Sequence, residues 1–183
     1  MSGDWRPTTS RRHGFSERSI DGGIDQIPLP NTVGALWLCG KHAIGPDPEA
    51  ALARVHATTA VCLNEEHELA DRYPQYVAWL NQVAPARAIW FPIPDLHAPS
   101  LAAATALIDE LTGRLHDGQS LLMHCGAGIG RAGTIAAALM LALGTPHDQV
   151  LPTLRQHRPM AGPEAGAQLD LLDAFAIRLG ANR

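Results

Sequence analysis

Residues 121–133 read LLMHCGAGIGRAG, an apolar run that ends in a cysteine and continues through three alternating glycines to an arginine. If the run is a buried strand and a helix follows, the loop between them places several backbone N–H groups around one point at the positive end of the helix dipole. Arg131 adds a planar fork suited to phosphate oxygens, and the same positive field favours the thiolate of Cys125. The stretch therefore predicts a loop that both binds a phosphate group and attacks it.

Two other interpretations start from the same residues. A cysteine before a small-residue turn can serve packing alone, and spaced glycines also occur in dinucleotide-binding loops. A dinucleotide site needs an acidic residue about 20 positions later, but the stretch after Gly133 is apolar. The pairing of Cys125 with Arg131 gives the pattern its specificity, and residues 124–131 resemble the His-Cys-x5-Arg signature of the cysteine-dependent protein tyrosine and dual-specificity phosphatases.

The resemblance extends over residues 35–179. In that superfamily the general acid is an aspartate on a loop before the cysteine, and FPIPD at residues 91–95 resembles that segment, with Asp95 as the acid. The alternative is that Asp95 is only a turn residue among prolines. Residues 61–65 and the Arg158-Pro159 pair also resemble small dual-specificity enzymes, and the compact chain resembles the atypical dual-specificity type.

The resemblance implies a mechanism without a metal or cofactor. Cys125 attacks phosphorus, Arg131 and the loop stabilise the phosphate oxygens, and Asp95 protonates the leaving group and later activates water. His124 is expected to orient the loop. The phosphate-binding residues implied are Gly126, Ala127, Gly128, Ile129, Gly130 and Arg131.

One position departs from the family pattern. The residue after the arginine is commonly Ser or Thr, whose hydroxyl assists the departing thiolate, but here it is Ala132, and the nearest downstream hydroxyl belongs to Thr134. This departure puts rapid hydrolysis of a phosphoenzyme in doubt. Gln168 is the candidate for the water-positioning glutamine of classical tyrosine phosphatases, but we expect a solvent-facing helix residue there.

Three other functions are compatible with parts of the pattern. A phosphoresidue-binding module with little turnover would keep the loop, and rhodanese-like or arsenate-reductase-like proteins also use a cysteine in an anion-binding loop. A phosphatase for a phosphoinositide would need extra basic groups, yet the loop holds only Ala127 and Ile129 between its glycines. We therefore expect a phosphorylated protein substrate, with phosphotyrosine first and phosphoserine or phosphothreonine as further candidates.

Composition limits the partners and the compartment. The 183 residues carry a formal net charge of −4, which favours neither nucleic acid nor an anionic membrane. The three cysteines match neither a disulfide framework nor a paired zinc motif, and no export signal follows Arg11 and Arg12. We expect a cytoplasmic monomer that needs no metal.

The order of predicted elements indicates a single α/β domain with a mainly parallel central sheet flanked by helices. We predict a polar tail over residues 1–26 and a catalytic domain over residues 27–183, with a polar, partly helical excursion at 64–83. Strands are predicted at 35–39, 59–63, 88–93 and 120–124, and helices at 48–56, 101–116, 131–143, 146–157 and 163–179.

Overall fold

A five-stranded mixed sheet lies at the centre of the protein in the computed structural model, which describes residues 23–180. Its strands are β1 (Asp25–Ile27), β2 (Leu36–Gly40), β3 (Thr59–Cys62), β4 (Ala88–Trp90) and β5 (Leu121–Cys125). The spatial order is β1-β2-β5-β3-β4; only β1 is antiparallel to its neighbour. The parallel strands therefore end at one edge of the sheet, where Cys125 lies.

Eight helices of the described part surround this sheet. They are α1 (Lys41–Ile44), α2 (Pro48–Arg54), α3 (His67–Ala70), α4 (Pro74–Val83), α5 (Leu101–His116), α6 (Gly130–Ala142), α7 (His147–His157) and α8 (Gly166–Arg178). Helix α5 begins where the Ser100 side chain accepts a hydrogen bond from the backbone N–H of Ala103, as expected of an N-cap.

The helices bury both faces of the sheet in two hydrophobic clusters. One face packs against α5, α6, α7 and α8, and the other against α1 to α4. Helix α6 is buried along nearly its whole length, because its alanines and glycines allow its neighbours to approach closely. At Gly133, an added Cβ would lie 2.2 Å from the backbone nitrogen of Gly162. The helix that begins at the loop is thus fixed on every side.

The predicted single α/β domain with a mainly parallel sheet is confirmed. Residues 1–22 of the predicted tail lie outside the described residues. Asp25 and Gln26, which were assigned to the tail, belong to β1. The excursion at 64–83 contains α3 and α4, and the last helix begins at Gly166 instead of residue 163. Among the described helices, none is both long and apolar enough to cross a membrane.

Candidate active site

The loop between β5 and α6, residues 126–129, has its carbonyl groups occupied by donors from other parts of the chain. The donors are the backbone N–H groups of Lys41 and Gly162 and the guanidinium group of Arg158. The distances from donor to carbonyl oxygen are 3.0 Å at Gly126, 2.7 Å at Ala127, 2.6 Å at Gly128 and 3.2 Å at Ile129. Because each carbonyl accepts from a donor outside the loop, the opposite side of the loop is left to its N–H groups.

Within the described part of the chain, the backbone N–H groups of residues 126–129 donate to no carbonyl or side chain. They adjoin the N-terminus of α6, whose first N–H groups also lack intrahelical acceptors. Gly128 makes this geometry attainable, since it has a φ of +71° and a Cβ there would lie 2.1 Å from the Cys39 carbonyl oxygen. The loop is therefore arranged to donate several hydrogen bonds to one anion.

Arg158 connects this loop to the edge of the sheet. Its buried guanidinium group donates to the carbonyls of Ala127, Gly128 and Gly23, and pairs with the carboxylate of Asp25 at 2.6 Å. The Arg158-Pro159 resemblance noted in the sequence thus corresponds to a residue that supports the loop from behind and leaves its inner side open.

Cys125 lies at the base of a pocket of about 320 Å³ at the end of β5. Two other cysteines, Cys39 and Cys62, are fully enclosed on neighbouring strands. Burial raises the pKa of each of these two thiols to about 12, which keeps them protonated. Of the three cysteines, Cys125 alone lines this pocket.

Arg131, in the first turn of α6, lines the same pocket with 3% of its side chain exposed. Its Nη1 atom donates to the Ile93 carbonyl at 2.8 Å, and its two terminal nitrogens contact both oxygens of Glu68 at 2.7 and 2.8 Å. Its Nε atom is buried and has no partner among the described residues. Arg131 is thus fixed in position and retains a donor for a further acceptor.

Glu68, on α3, is a site residue that the sequence analysis missed. Besides Arg131 it accepts hydrogen bonds from the Asn64 side chain and the Glu65 backbone, each at 2.8 Å. Burial raises the pKa of the Glu68 carboxyl, but hydrogen bonds from Arg131 and Glu65 outweigh this and lower it to about 2. The feature of the sequence that could have indicated Glu68 is the polar run after the buried strand β3, because β3 ends at the same edge of the sheet as Cys125.

Asp95 lies at the mouth of the pocket, with its Oδ1 atom 3.1 Å from Nη2 of Arg131 and its side chain 70% exposed. The next residue, Leu96, has a φ of +60°, a left-handed conformation that is uncommon for a bulky side chain. Asp95 therefore lies beside Arg131 and lines the pocket that holds Cys125.

Gln168 is buried, so the expectation that it faces solvent is wrong. Its Oε1 atom accepts from the Glu164 backbone N–H at 2.8 Å and lies 3.4 Å from the Thr134 hydroxyl oxygen, and its Nε2 atom donates to the His97 carbonyl at 3.2 Å. The Gln168 amide thereby links α8 to the loop that carries Asp95 and packs against α6.

The hydroxyl of Thr134 donates to the Gly130 carbonyl at 2.8 Å, one turn back along α6. Ala132 is fully buried and has no hydroxyl. Thr134, which carries the nearest downstream hydroxyl, is thus hydrogen-bonded to the backbone of its own helix.

His124 is fully buried, and its Nε2 atom shares a hydrogen bond of 2.7 Å with the Tyr76 hydroxyl. Burial is the main cause that lowers the pKa of His124 to about 3, and the nearby Arg131 charge acts in the same direction. The ring is therefore neutral at neutral pH, and its visible contact joins the end of β5 to α4.

The pocket contains a second carboxylate that sequence reasoning did not select. Glu164 packs against the first residue of α6 so closely that a Cβ on Gly130 would lie 1.9 Å from its Oε2 atom. Asp95 and Glu164 give the entrance negative charge, while Arg131 and the loop N–H groups make the floor positive. Residues 23–180 contain no group of three His, Cys, Asp or Glu side chains placed to hold a metal ion.

A family model described as PTP-SAK, Swiss Army Knife protein, DSP-PTPase phosphatase domain, matches residues 39–181. The curated relatives include cyclin-dependent kinase inhibitor 3 of Sus scrofa and of Homo sapiens, which are 32% and 31% identical over 93 residues. Each alignment covers 50% of this chain and 44% of the relative, so it spans less than half the length of either relative.

Solved structures share the fold at low sequence identity. Kinase associated phosphatase with its catalytic-site cysteine replaced by serine has a TM-score of 0.72 at 24% identity and covers 88% of this chain and 98% of its own. Human DUSP28 has a TM-score of 0.62 at 20% identity and covers 80% of this chain and 94% of its own. PTPMT1 in complex with PI(5)P has a TM-score of 0.64 at 17% identity and covers 80% of this chain and 92% of its own. Since the family model covers most of the chain, the protein belongs to the dual-specificity and tyrosine phosphatase (DSP-PTPase) domain family.

Proposed function

We propose that this member of the DSP-PTPase family hydrolyses phosphomonoesters through a cysteinyl-phosphate intermediate. The observation that carries the proposal is the loop at residues 126–129, whose carbonyls are all engaged from outside and whose N–H groups have no acceptor beside Cys125. Such a group of donors suits the three equatorial oxygens of a phosphoryl group in transfer.

In the first step, the Cys125 thiolate attacks phosphorus and the bond from phosphorus to the ester oxygen breaks. Asp95, at the pocket mouth, gives its proton to the departing oxygen, so the leaving group departs as a neutral alcohol or phenol. Arg131 contributes its unpartnered Nε–H to a phosphoryl oxygen, while Glu68 keeps the guanidinium plane oriented.

In the second step, water attacks the phosphocysteine and gives a proton to the Asp95 carboxylate. The sulfur–phosphorus bond breaks, and the products are inorganic phosphate and the Cys125 thiolate. Because Gln168 is hydrogen-bonded to the Glu164 backbone and to the His97 carbonyl, we assign it the role of positioning the Asp95 loop. His124 we assign the role of fixing the end of β5 beneath the loop.

For the substrate we propose a phosphorylated protein side chain, phosphotyrosine first and phosphoserine or phosphothreonine next. The exposed carboxylate of Asp95 and the carboxylate of Glu164 lie at the entrance, where a polyphosphorylated headgroup would place its additional phosphates. Kinase associated phosphatase, which has a similar fold, is named for its association with a kinase, and this supports a protein substrate.

A phosphoresidue-binding module with little turnover is the second candidate, and Ala132 is the observation that favours it. No Ser or Thr hydroxyl follows the arginine to stabilise the departing thiolate, and Thr134 donates to Gly130 instead. A missing charge-assisted hydrogen bond of this kind corresponds to about ten- to a hundredfold in rate.

Rapid mixing with an aryl phosphate tests the proposal and separates the two candidates. We expect a burst of phenol of about one equivalent per site, because formation of the phosphocysteine is faster than its breakdown. Ala132→Ser should raise the steady-state rate about tenfold and shrink the burst, since it restores the hydrogen bond to sulfur.

Cys125→Ser is the control, and it should show neither burst nor turnover while it retains the thermal unfolding midpoint of the wild type. Stoichiometric phosphate binding by the wild type without any phenol release would identify the binding module. Full turnover by Cys125→Ser would refute the cysteinyl-phosphate mechanism.

A further inference from the structure

A second concave surface of about 830 Å³ adjoins the candidate active site. Its lining comes from the segment after β3 and from the strand and loop that lead to Asp95. We call it the acidic groove; its lining residues are Glu65, Glu66, His67, Ala70, Trp90 and Pro92. The same short segment after β3 also carries Glu68, which binds Arg131, so one segment separates the acidic groove from the catalytic pocket.

The register of the sheet gives the distance between the two sites. Cys62 of β3 pairs with His124 on one side and with Trp90 on the other, so Trp90 lies two strands from the residue preceding Cys125. Neighbouring strands are about 4.8 Å apart, which places Trp90 about 10 Å from the end of β5. An extended peptide advances about 3.3 Å per residue. A peptide with its phosphorylated side chain in the pocket therefore brings a residue two to four positions away over the groove.

The floor of the acidic groove offers ring and hydrocarbon surface. The indole N–H of Trp90 already donates to the Asn64 carbonyl at 2.9 Å, so the part of Trp90 that lines the groove contributes its ring. Pro92 and Ala70 add apolar atoms beside it. An aromatic ring beside hydrocarbon surface suits a side chain with a flat cationic head and an aliphatic stem.

The rim supplies the complementary charge. Glu66 is exposed and has no ion-pair partner among residues 23–180, while the carboxylate of Glu65 is 4.0 Å from Nε2 of His67. The described lining of the acidic groove contains no arginine or lysine. A guanidinium group can contact the Trp90 ring and these carboxylates together.

We propose that the acidic groove is a specificity site that binds an arginine side chain of a phosphorylated protein substrate, two to four residues from the phosphorylated residue. This inference rests on the proposed function, because the phosphorylated side chain must occupy the Cys125 pocket. It adds a substrate preference: phosphorylation sites in basic sequence contexts are hydrolysed in preference to neutral ones.

The test compares phosphotyrosine peptides that carry one arginine at each successive position with matched peptides that carry citrulline, its uncharged isostere. We expect arginine at a position within two to four residues of the phosphotyrosine to raise kcat/KM about tenfold over citrulline at low salt. The ratio should approach one at about 0.5 M ionic strength, because an exposed ion pair is screened there.

Glu66→Gln combined with Glu65→Gln should abolish the arginine-to-citrulline ratio. Asp109→Asn combined with Glu110→Gln removes the same charge from the exposed face of α5, far from the groove lining, and should preserve the ratio. Because each ratio is taken within one variant, a general loss of activity does not imitate the effect.

Aryl phosphate hydrolysis measured in parallel separates this inference from the proposed function. Hydrolysis of aryl phosphate with equal kcat/KM for arginine and citrulline peptides at all positions would refute the groove assignment alone. A peptide with leucine in place of arginine provides a second check. If leucine raised kcat/KM as much as arginine does, and the Glu65 and Glu66 changes did not alter this effect, the groove assignment would be refuted and the groove would be an apolar site. Absence of aryl phosphate hydrolysis would refute the proposed function itself.

Discussion

Asp95 pairs with Arg131 from an exposed position, and the proposed acid role predicts a substrate-dependent effect of its removal. Asp95→Asn should lower kcat/KM for alkyl phosphates by about 10²- to 10⁴-fold, because a poor leaving group needs the proton. Activated aryl phosphates, whose phenols leave as anions, should lose much less. The measurement is kcat/KM against the leaving-group pKa for wild type and variant. Equal losses for all substrates would make Asp95 a structural residue and direct attention to His97, whose backbone carbonyl Gln168 holds.

At the residue scale, the sequence predicted Cys125, Arg131 and Asp95 as candidates, and the structure brings all three to one pocket. They were predictable because each side chain belongs to a local pattern with a chemical meaning. Glu68 and Glu164 were not predicted, since their contacts with Arg131 and Gly130 join segments far apart in the chain. Gln168 was assigned to solvent because helical spacing alone does not reveal which neighbours enclose a polar side chain.

Gly128 tests how strictly the loop depends on its backbone conformation. Gly128→Ala combines a strained φ of +71° with a Cβ 2.1 Å from the Cys39 carbonyl oxygen, so the loop must shift. We expect kcat/KM to fall about a hundredfold or more, as when a donor to the transition state is lost. Gly113→Ala is the control, because that glycine lies in α5 with no atom within 4 Å of its Cβ position and should stabilise the protein by about 0.5–1 kcal/mol. Undiminished activity in Gly128→Ala would show that the loop tolerates another conformation.

At the scale of elements, apolar or periodic segments were predictable, including the short strands β2 to β5, and short polar segments were not. Helix α5 matches the predicted bounds of 101–116, because its apolar residues repeat with helical spacing after the Ser100 cap. Strand β1 has only three residues, two of them polar, and carries no pattern that would separate it from a tail. Its position depends on pairing with β2 and on the Asp25–Arg158 ion pair. Helix α3, with four residues, likewise depends on the contact of Glu68 with Arg131.

For the whole molecule, the Glu68–Arg131 pair predicts a pH dependence of stability. Arg131 and Glu65 hold the pKa of Glu68 at about 2, below its ordinary value of 4.5. A depressed pKa means that the stabilisation is complete above pH 4.5 and is lost as the pH falls towards 2. Glu68→Gln should therefore lower the free energy of unfolding by about 1.5–3 kcal/mol at pH 7, with the difference from wild type shrinking below pH 4.5.

Urea unfolding at pH 7, 4 and 3 measures this difference. Glu110→Gln, which removes the exposed partner of Arg114, is the control and should change stability by less than about 1 kcal/mol at each pH. A pH-independent difference for Glu68→Gln would mean that the carboxylate charge contributes nothing to the pair.

The donors that engage the carbonyls of residues 126–129 come from Lys41, Arg158 and Gly162. The loop that we propose binds phosphate is therefore held by contacts more than 25 residues distant along the chain on either side, and local sequence alone does not maintain it. Contacts of such separation slow folding, because the entropy of closing the intervening chain must be lost before they form. During synthesis, a ribosome-bound chain would acquire phosphatase activity only after residue 162 had emerged and docked. On the proposed mechanism, enzymatic activity consequently reports that these long-range contacts have formed, and a nascent chain would expose the Cys125 thiol before the loop can hold a phosphate group.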